Sequence, residues 1–148
     1  MNTTLETRQI KTARFGAIEV DESRIFHFSE GLLGFGHLHD YARLPGPDCT
    51  PLEWLQSCED PELAFLIMNP LLFKDDYRVP VTPEELDLLG LPGPEAGEVR
   101  VILVVPQNPA LMTANLQGPL VFNPATRRAR QLVLAGPEFV TRFRVFAD

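Results

Sequence analysis

With 148 residues, 45% of them hydrophobic, the chain is long enough to bury a sizeable core as one unit, residues 1–148, and too short for two. No apolar run approaches the roughly 20 residues of a membrane-spanning helix, and the opening MNTTLETRQIK lacks the apolar centre of a secretory signal; a cytoplasmic protein with no membrane partner is expected. The formal net charge of −7 is unevenly spread, with twelve acids against Lys74 and Arg78 over residues 44–99 and six arginines against Glu138 and Asp148 from Arg100 onward, so the acidic centre disfavours nucleic acid and favours a basic protein.

Fourteen prolines and ten glycines break the chain into short pieces, which argues for an all-β class with turns in place of long helices. In KTARFGAIEVDESRIFHF, a run to Phe15 meets a turn at Gly16, and Ile18 and Val20 then alternate with Glu19 and Asp21 as in a half-buried hairpin. Ile25, Phe26 and Phe28 form a further short strand. SEGLLGFGHLHDY reads as a structured loop leading to the strand YARL. LEWLQS and LAFLIM form an antiparallel hairpin whose tip, CEDPE, carries Glu59, Asp60 and Glu62, with Pro61 unable to donate a ladder hydrogen bond.

VTPEELDLLG is the one helix expected: Thr82 as N-cap, Pro83 at the first helical position, Glu85 completing a capping box and Gly90 as the stop. EVRVILVVP ends in five consecutive β-branched or leucine residues, the pattern of a strand buried on both faces. LMTANLQGPLVFNPATRRARQLVL divides into three strands at Gln117-Gly118-Pro119 and at Asn123-Pro124-Ala125-Thr126. LVFNP echoes LIMNP at 66–70. In both, Asn hydrogen-bonds its own backbone and Pro holds φ, so an apolar run is converted into a turn.

Chemistry is sparsely provided for. His27, His37 and His39 include a His37-Leu-His39-Asp40 cluster, but no motif supplies the three or four converging ligands of a metal site. Ser23, Ser29 and Ser57 lie in no nucleophile elbow, and GLLGFG opens no phosphate-binding helix. Cys49 and Cys58 form neither a disulfide framework nor a two-pair zinc spacing, and Cys58 suits an apolar packing role. The basic run TRRARQ lacks the stacking aromatics of a nucleic-acid surface. No catalytic residue, cofactor, metal or direct nucleic-acid partner is therefore expected.

The stretch AFLIMNPLLFKDDY at 64–77 remains. Asn69 and Pro70 end a strand, Leu71, Leu72 and Phe73 carry apolar area to a rim, and Asp75, Asp76 and Tyr77 follow with charge and a hydroxyl. Apolar anchors rimmed by charge suit a protein partner, with the acidic tip Glu59, Asp60, Glu62 as a second candidate. A purely structural role would instead bury Phe73 and Tyr77 in the core.

The blocks RFGAIEVDESRIFHFSEGLLGF, WLQSCEDPELAFLIMNPLLFKDDY and ANLQGPLVFNPATRRARQLVL, in this order, closely resemble the bacterial flagellar assembly factor FliW family over about 12–134. Departures are Leu33 for the usual Pro of Gly-Leu-Pro-Gly-Phe, the longer Asp75-Asp76-Tyr77 ending, and Gly118 and Ala129 for other small residues. The resemblance implies a small antiparallel β-barrel-like domain that binds the RNA-binding translational repressor CsrA and flagellin in turn. It would relieve repression of flagellin translation allosterically and catalyse nothing. Rival readings are a flagellin-specific chaperone without a regulatory role, and an enzyme with a scattered polar site on a β-barrel.

Overall fold

Strands alternating inward apolar with outward polar residues make up most of the computed structural model, which describes residues 6–46 and 50–146. Cys49 lies outside the described residues. The strands are β1 (Thr7–Thr12), β2 (Gly16–Asp21), β3 (Ile25–Phe28), β4 (Asp40–Pro45), β5 (Glu53–Ser57), β6 (Ala64–Met68), β7 (Glu98–Val104), β8 (Thr113–Ala114), β9 (Leu120–Asn123), β10 (Arg128–Gln131) and β11 (Phe143–Arg144). β7, β6, β5, β4, β3, β10 and β9 pair in that order, and β9 returns to β7, closing a seven-strand barrel. Every pair in the ring is antiparallel except β3 with β10, which run parallel. The all-β, barrel-like expectation holds with that exception.

The hairpin of β1 and β2 lies outside the ring. Its first strand stops at Thr12, short of Phe15, because Thr12 Oγ1 accepts the Phe15 N–H at 2.7 Å and donates to the Gly16 carbonyl at 2.9 Å, closing the turn. Ile10 and Val20 then pack on Ile25 and Ala42, with Cys58 half-buried beside them, so the cysteine does serve as a small apolar group. Burial pushes its thiol up to about 11, which keeps it protonated at neutral pH.

Inside the ring, residues of one strand parity meet: Phe26, Phe28, Tyr41, Leu55, Ile67, Leu120 and Phe122 form the core. The opposite parity of β6, β7 and β9 faces outward and is covered by chain segments. Met68, Val101 and Leu103 pack under Tyr77, Phe139 and Phe143, while Val121 packs under Leu89, Leu91 and Leu134. The uniformly apolar run at the end of β7 is not buried on both faces: Val104 is 63% exposed and Val105 45%. Among the described residues, Val104 at that end pairs only with Thr113 of the two-residue β8, so little chain is there to cover it.

Pro83–Leu89 forms α1, the one α-helix among the described residues. Thr82 Oγ1 accepts the Glu85 N–H at 3.2 Å, and Gly90, at φ +72°, ends the helix in the left-handed region where a Cβ is strained. The Glu85 carboxylate is bound to Arg130, at 3.0 Å, so only the Thr82 half of the expected capping box is in evidence. The last helical carbonyl, that of Leu89, is capped twice from the 123–126 turn: Asn123 Nδ2 donates to it at 2.7 Å and Thr126 Oγ1 at 3.1 Å.

Candidate functional site

The Asn-Pro turn at the end of β6 shapes a broad groove on the barrel surface. Asn69 Oδ1 accepts the Leu71 N–H at 3.1 Å, Pro70 opens a single 3-10 turn over Pro70–Leu72, and Phe73 and Lys74 both donate to the Pro70 carbonyl. β6 pairs with β7 only through Val101–Leu103. Continuing that register would set Pro70 opposite Val99, but proline has no N–H to give. The Val99 carbonyl is taken instead by Arg100 Nη1 at 2.8 Å. The chain thus leaves the sheet, and a groove of about 870 Å³ opens between the 69–79 segment and the turn at Pro94–Ala96, floored by Val99 and Val121.

The sequence-designated residues separate by role. Pro70 is fully buried, and Tyr77, 4% exposed, donates its hydroxyl to the Leu116 carbonyl at 2.7 Å, with burial raising its pKa. Phe73 is half-buried and stacks on Phe143 at 5.9 Å. Asn69, Pro70, Asp75 and Tyr77 all line the groove. Asp75 and Asp76 are exposed and face different ways: Asp75 borders the groove, whereas Asp76 borders the neighbouring cleft against Glu138 and Phe139 and pairs with Lys74 at 2.8 Å. Leu71 and Leu72 are 50% and 59% exposed.

The acidic tip is elsewhere. β6 separates Glu62 from Asn69 by five strand residues, about 16 Å at 3.3 Å each. The tip is held from below by Gln56, whose Nε2 lies 3.1 to 3.4 Å from the carbonyls of Ser57, Asp60, Pro61 and Leu63. Ser57 Oγ accepts the N–H groups of Glu59 and Asp60. Glu59 turns its carboxylate onto the N–H groups of His39 and Asp40, and Asp60 Oδ1 accepts the Glu62 N–H, so that among the described residues Glu62 is the tip acid whose carboxylate stays out of these hydrogen bonds. The two candidate surfaces are therefore distinct.

Beside the tip, His39 stacks on His27 at 5.6 Å, not on His37, and His27 Nδ1 lies 2.7 Å from Asp40 Oδ1. Among the described residues no group of three or more His, Cys, Asp or Glu side chains is placed to hold a metal ion. The basic run is engaged internally: Arg127 with Glu22, and Arg130 with Glu30 and Glu85.

Two features escaped the sequence reading. Val79, Val81, Glu95 and Val99 complete the groove, and their only local trace is the Val-Pro-Val alternation at 79–81. At one mouth of the barrel, Arg43, 7% exposed, joins Glu53 at 2.9 Å and Glu98 at 2.6 Å, while Arg100 reaches Glu53 at 2.8 Å. Arg43 also lies over the Phe122 ring, 4.5 Å from its centroid. Charges spread over β4, β5 and β7 carry no sequence signature of convergence.

Comparison with known proteins places this arrangement. A family model described as FliW protein matches residues 9–145. The flagellar assembly factor FliW of Bdellovibrio bacteriovorus is 38% identical over 93% of this chain and 78% of its own length. That of Moorella thermoacetica is 35% identical over 95% and 89%. A solved crystal structure of the flagellar assembly factor FliW superposes with a TM-score of 0.88 at 30% identity, covering 95% of this chain and 99% of that one. The name these relatives share describes assembly and no catalysed reaction. The chain belongs to the FliW family of flagellar assembly factors.

Proposed function

We propose that this chain is a cytoplasmic partner-switching regulator, one domain over 1–148, that binds a CsrA-type RNA-binding repressor and flagellin and so relieves repression of flagellin translation. The observation that supports this reading best is exposed Asp75 at the rim of the apolar groove, with Leu71 in its lining and with Asp76 and Leu72 exposed on the adjoining surface. A basic repressor would meet carboxylates at the rim and apolar area within, the arrangement of a protein interface.

Replacing Asp75 and Asp76 together by Lys tests it. Both side chains are on the surface, so the melting temperature should stay close to wild type, since such changes usually alter stability by less than about 0.5 kcal/mol. Affinity for purified CsrA-type repressor should fall, mainly through slower association, because rim charges act on encounter and are screened by salt. Unchanged affinity in low-salt calorimetry would move the interface elsewhere, with Glu62 at the other end of β6 as the next residue to reverse.

A further inference from the structure

The groove has a second property, which concerns the shape of what it holds. An extended peptide could gain main-chain ladder hydrogen bonds here only by adding a strand to β7 before Val101, where β6 no longer pairs. That edge is closed. Pro70 stands where a donor would be, the Val99 carbonyl is occupied by Arg100 Nη1, and Arg100 is itself anchored through Nε to Glu53 at 2.8 Å. Recognition must therefore run through side chains.

The lining supports one kind of side-chain array. Leu71, Val79, Val81 and Val99 present apolar surface along the trough, while polar groups sit on the rim and do not converge on one point as they would around a small molecule. Of the charged lining residues, Glu98 and Arg100 are neutralised within the barrel-mouth network. Arg78 donates to the Asp75 and Tyr77 carbonyls and lies along its own wall. Arg78 keeps its charge there, and Asp75 and Glu95 are the acids that remain, one on each wall, with no ion pair among the described residues, so the acids outnumber the one uncompensated base. An apolar stripe flanked on both sides by bases is the pattern of a basic amphipathic helix.

We propose that this groove seats one face of a basic amphipathic helix from a protein partner, with apolar side chains against Leu71, Val79 and Val99 and a base on each side against Asp75 and Glu95. The inference rests on the reading that the chain works by binding protein partners through this face. It adds the partner's local structure and the residues that read it.

A synthetic Leu/Lys peptide of about 18 residues, with leucines at i, i+3, i+4 and i+7, is the probe, titrated by fluorescence anisotropy at physiological salt. A peptide of the same composition in scrambled order, lacking the stripe, controls for general attraction to an acidic protein. The striped peptide should bind and the scrambled one should not. Leu71→Asp and Glu95→Lys should each weaken binding about tenfold, and Leu88→Asp on the exposed face of α1 should leave it unchanged. Because Leu71 and Glu95 are exposed, circular dichroism should show all three variants folded. Equal binding of both peptides, no binding, or indifference to Leu71→Asp and Glu95→Lys would overturn the proposal. Parallel titration with purified repressor and flagellin separates the two readings. If either protein binds and the striped peptide does not, the helix inference falls and the regulatory reading stands. If the peptide binds through the groove and neither protein does, the reverse holds.

Discussion

Tyr41 and Tyr77 show how differently two buried tyrosines of one chain can be placed. Tyr41 is wholly buried between Phe28 and Phe65, and its hydroxyl has no hydrogen-bond partner among the described residues. Burial, with Glu59 and Asp60 adding to it, pushes the phenol up to about 12. An unmatched buried hydroxyl costs its desolvation without return, so Tyr41→Phe should be neutral or stabilising by up to about 1 kcal/mol in urea unfolding. Tyr77→Phe should destabilise by about 1 kcal/mol, because it leaves the Leu116 carbonyl without its donor. Equal effects from the two changes would contradict this account of Tyr41. The sequence marked Tyr77 through its acidic neighbours. Nothing in those neighbours says that the ring turns inward while Asp75 stays outside, since that depends on Phe139 packing against it.

Among the elements, the two Asn-Pro turns and α1 were legible because their causes are local. Asn69 and Asn123 each accept an N–H two residues ahead, from Leu71 and Ala125, and Thr82 caps a helix that begins at the next residue. β11 was not legible: only Phe143 and Arg144 pair, with Thr113 and Ala114, and a two-residue bridge has no periodicity to read. The segment around it is mostly exposed and anchored by half-buried Phe139, Phe143 and Val145 over Tyr77, Met112 and Leu116. Such an element should open locally well below the global unfolding free energy. Hydrogen exchange should find the Val145 amide, bonded to the Met112 carbonyl, at least about a hundredfold less protected than amides in β5, which is paired on both sides. Comparable protection would show that the segment unfolds only with the barrel.

At the scale of the whole molecule, the barrel mouth joins β4, β5 and β7 through Arg43, Glu53, Glu98 and Arg100. Burial alone would raise the Glu53 carboxyl, but hydrogen bonds and charge from Arg43 and Arg100 outweigh it and hold the group below its usual range. With the folded value below the unfolded one, the contribution is complete above about pH 4.3 and is lost as pH falls through the lowered folded value. Asp40 behaves alike, its burial outweighed by hydrogen bonds from Arg8 and His27. Stability should therefore decline steeply below about pH 4.3. Glu53→Gln should lower it by about 2 kcal/mol at neutral pH and make the acid decline shallower, as followed by urea unfolding from about pH 3 to 7. An acid profile of unchanged slope would show that Glu53 is not a linked group.

What the sequence determined by itself was whatever short-range chemistry controls: strand-rich architecture from scattered Pro and Gly, the cap and stop of α1 from Thr82 and Gly90, the hairpin of β5 and β6, and family membership from three ordered blocks. Tertiary structure alone decided the rest. β3 and β10 meet in parallel across about a hundred residues, and Arg43 finds Glu98 from another strand. The groove exists because Pro70 leaves β7 unpaired beside residues 94–97, which sequence order keeps apart. Local propensities act over a few residues, whereas a site made of charge and apolar area depends on which faces closure of the barrel brings together.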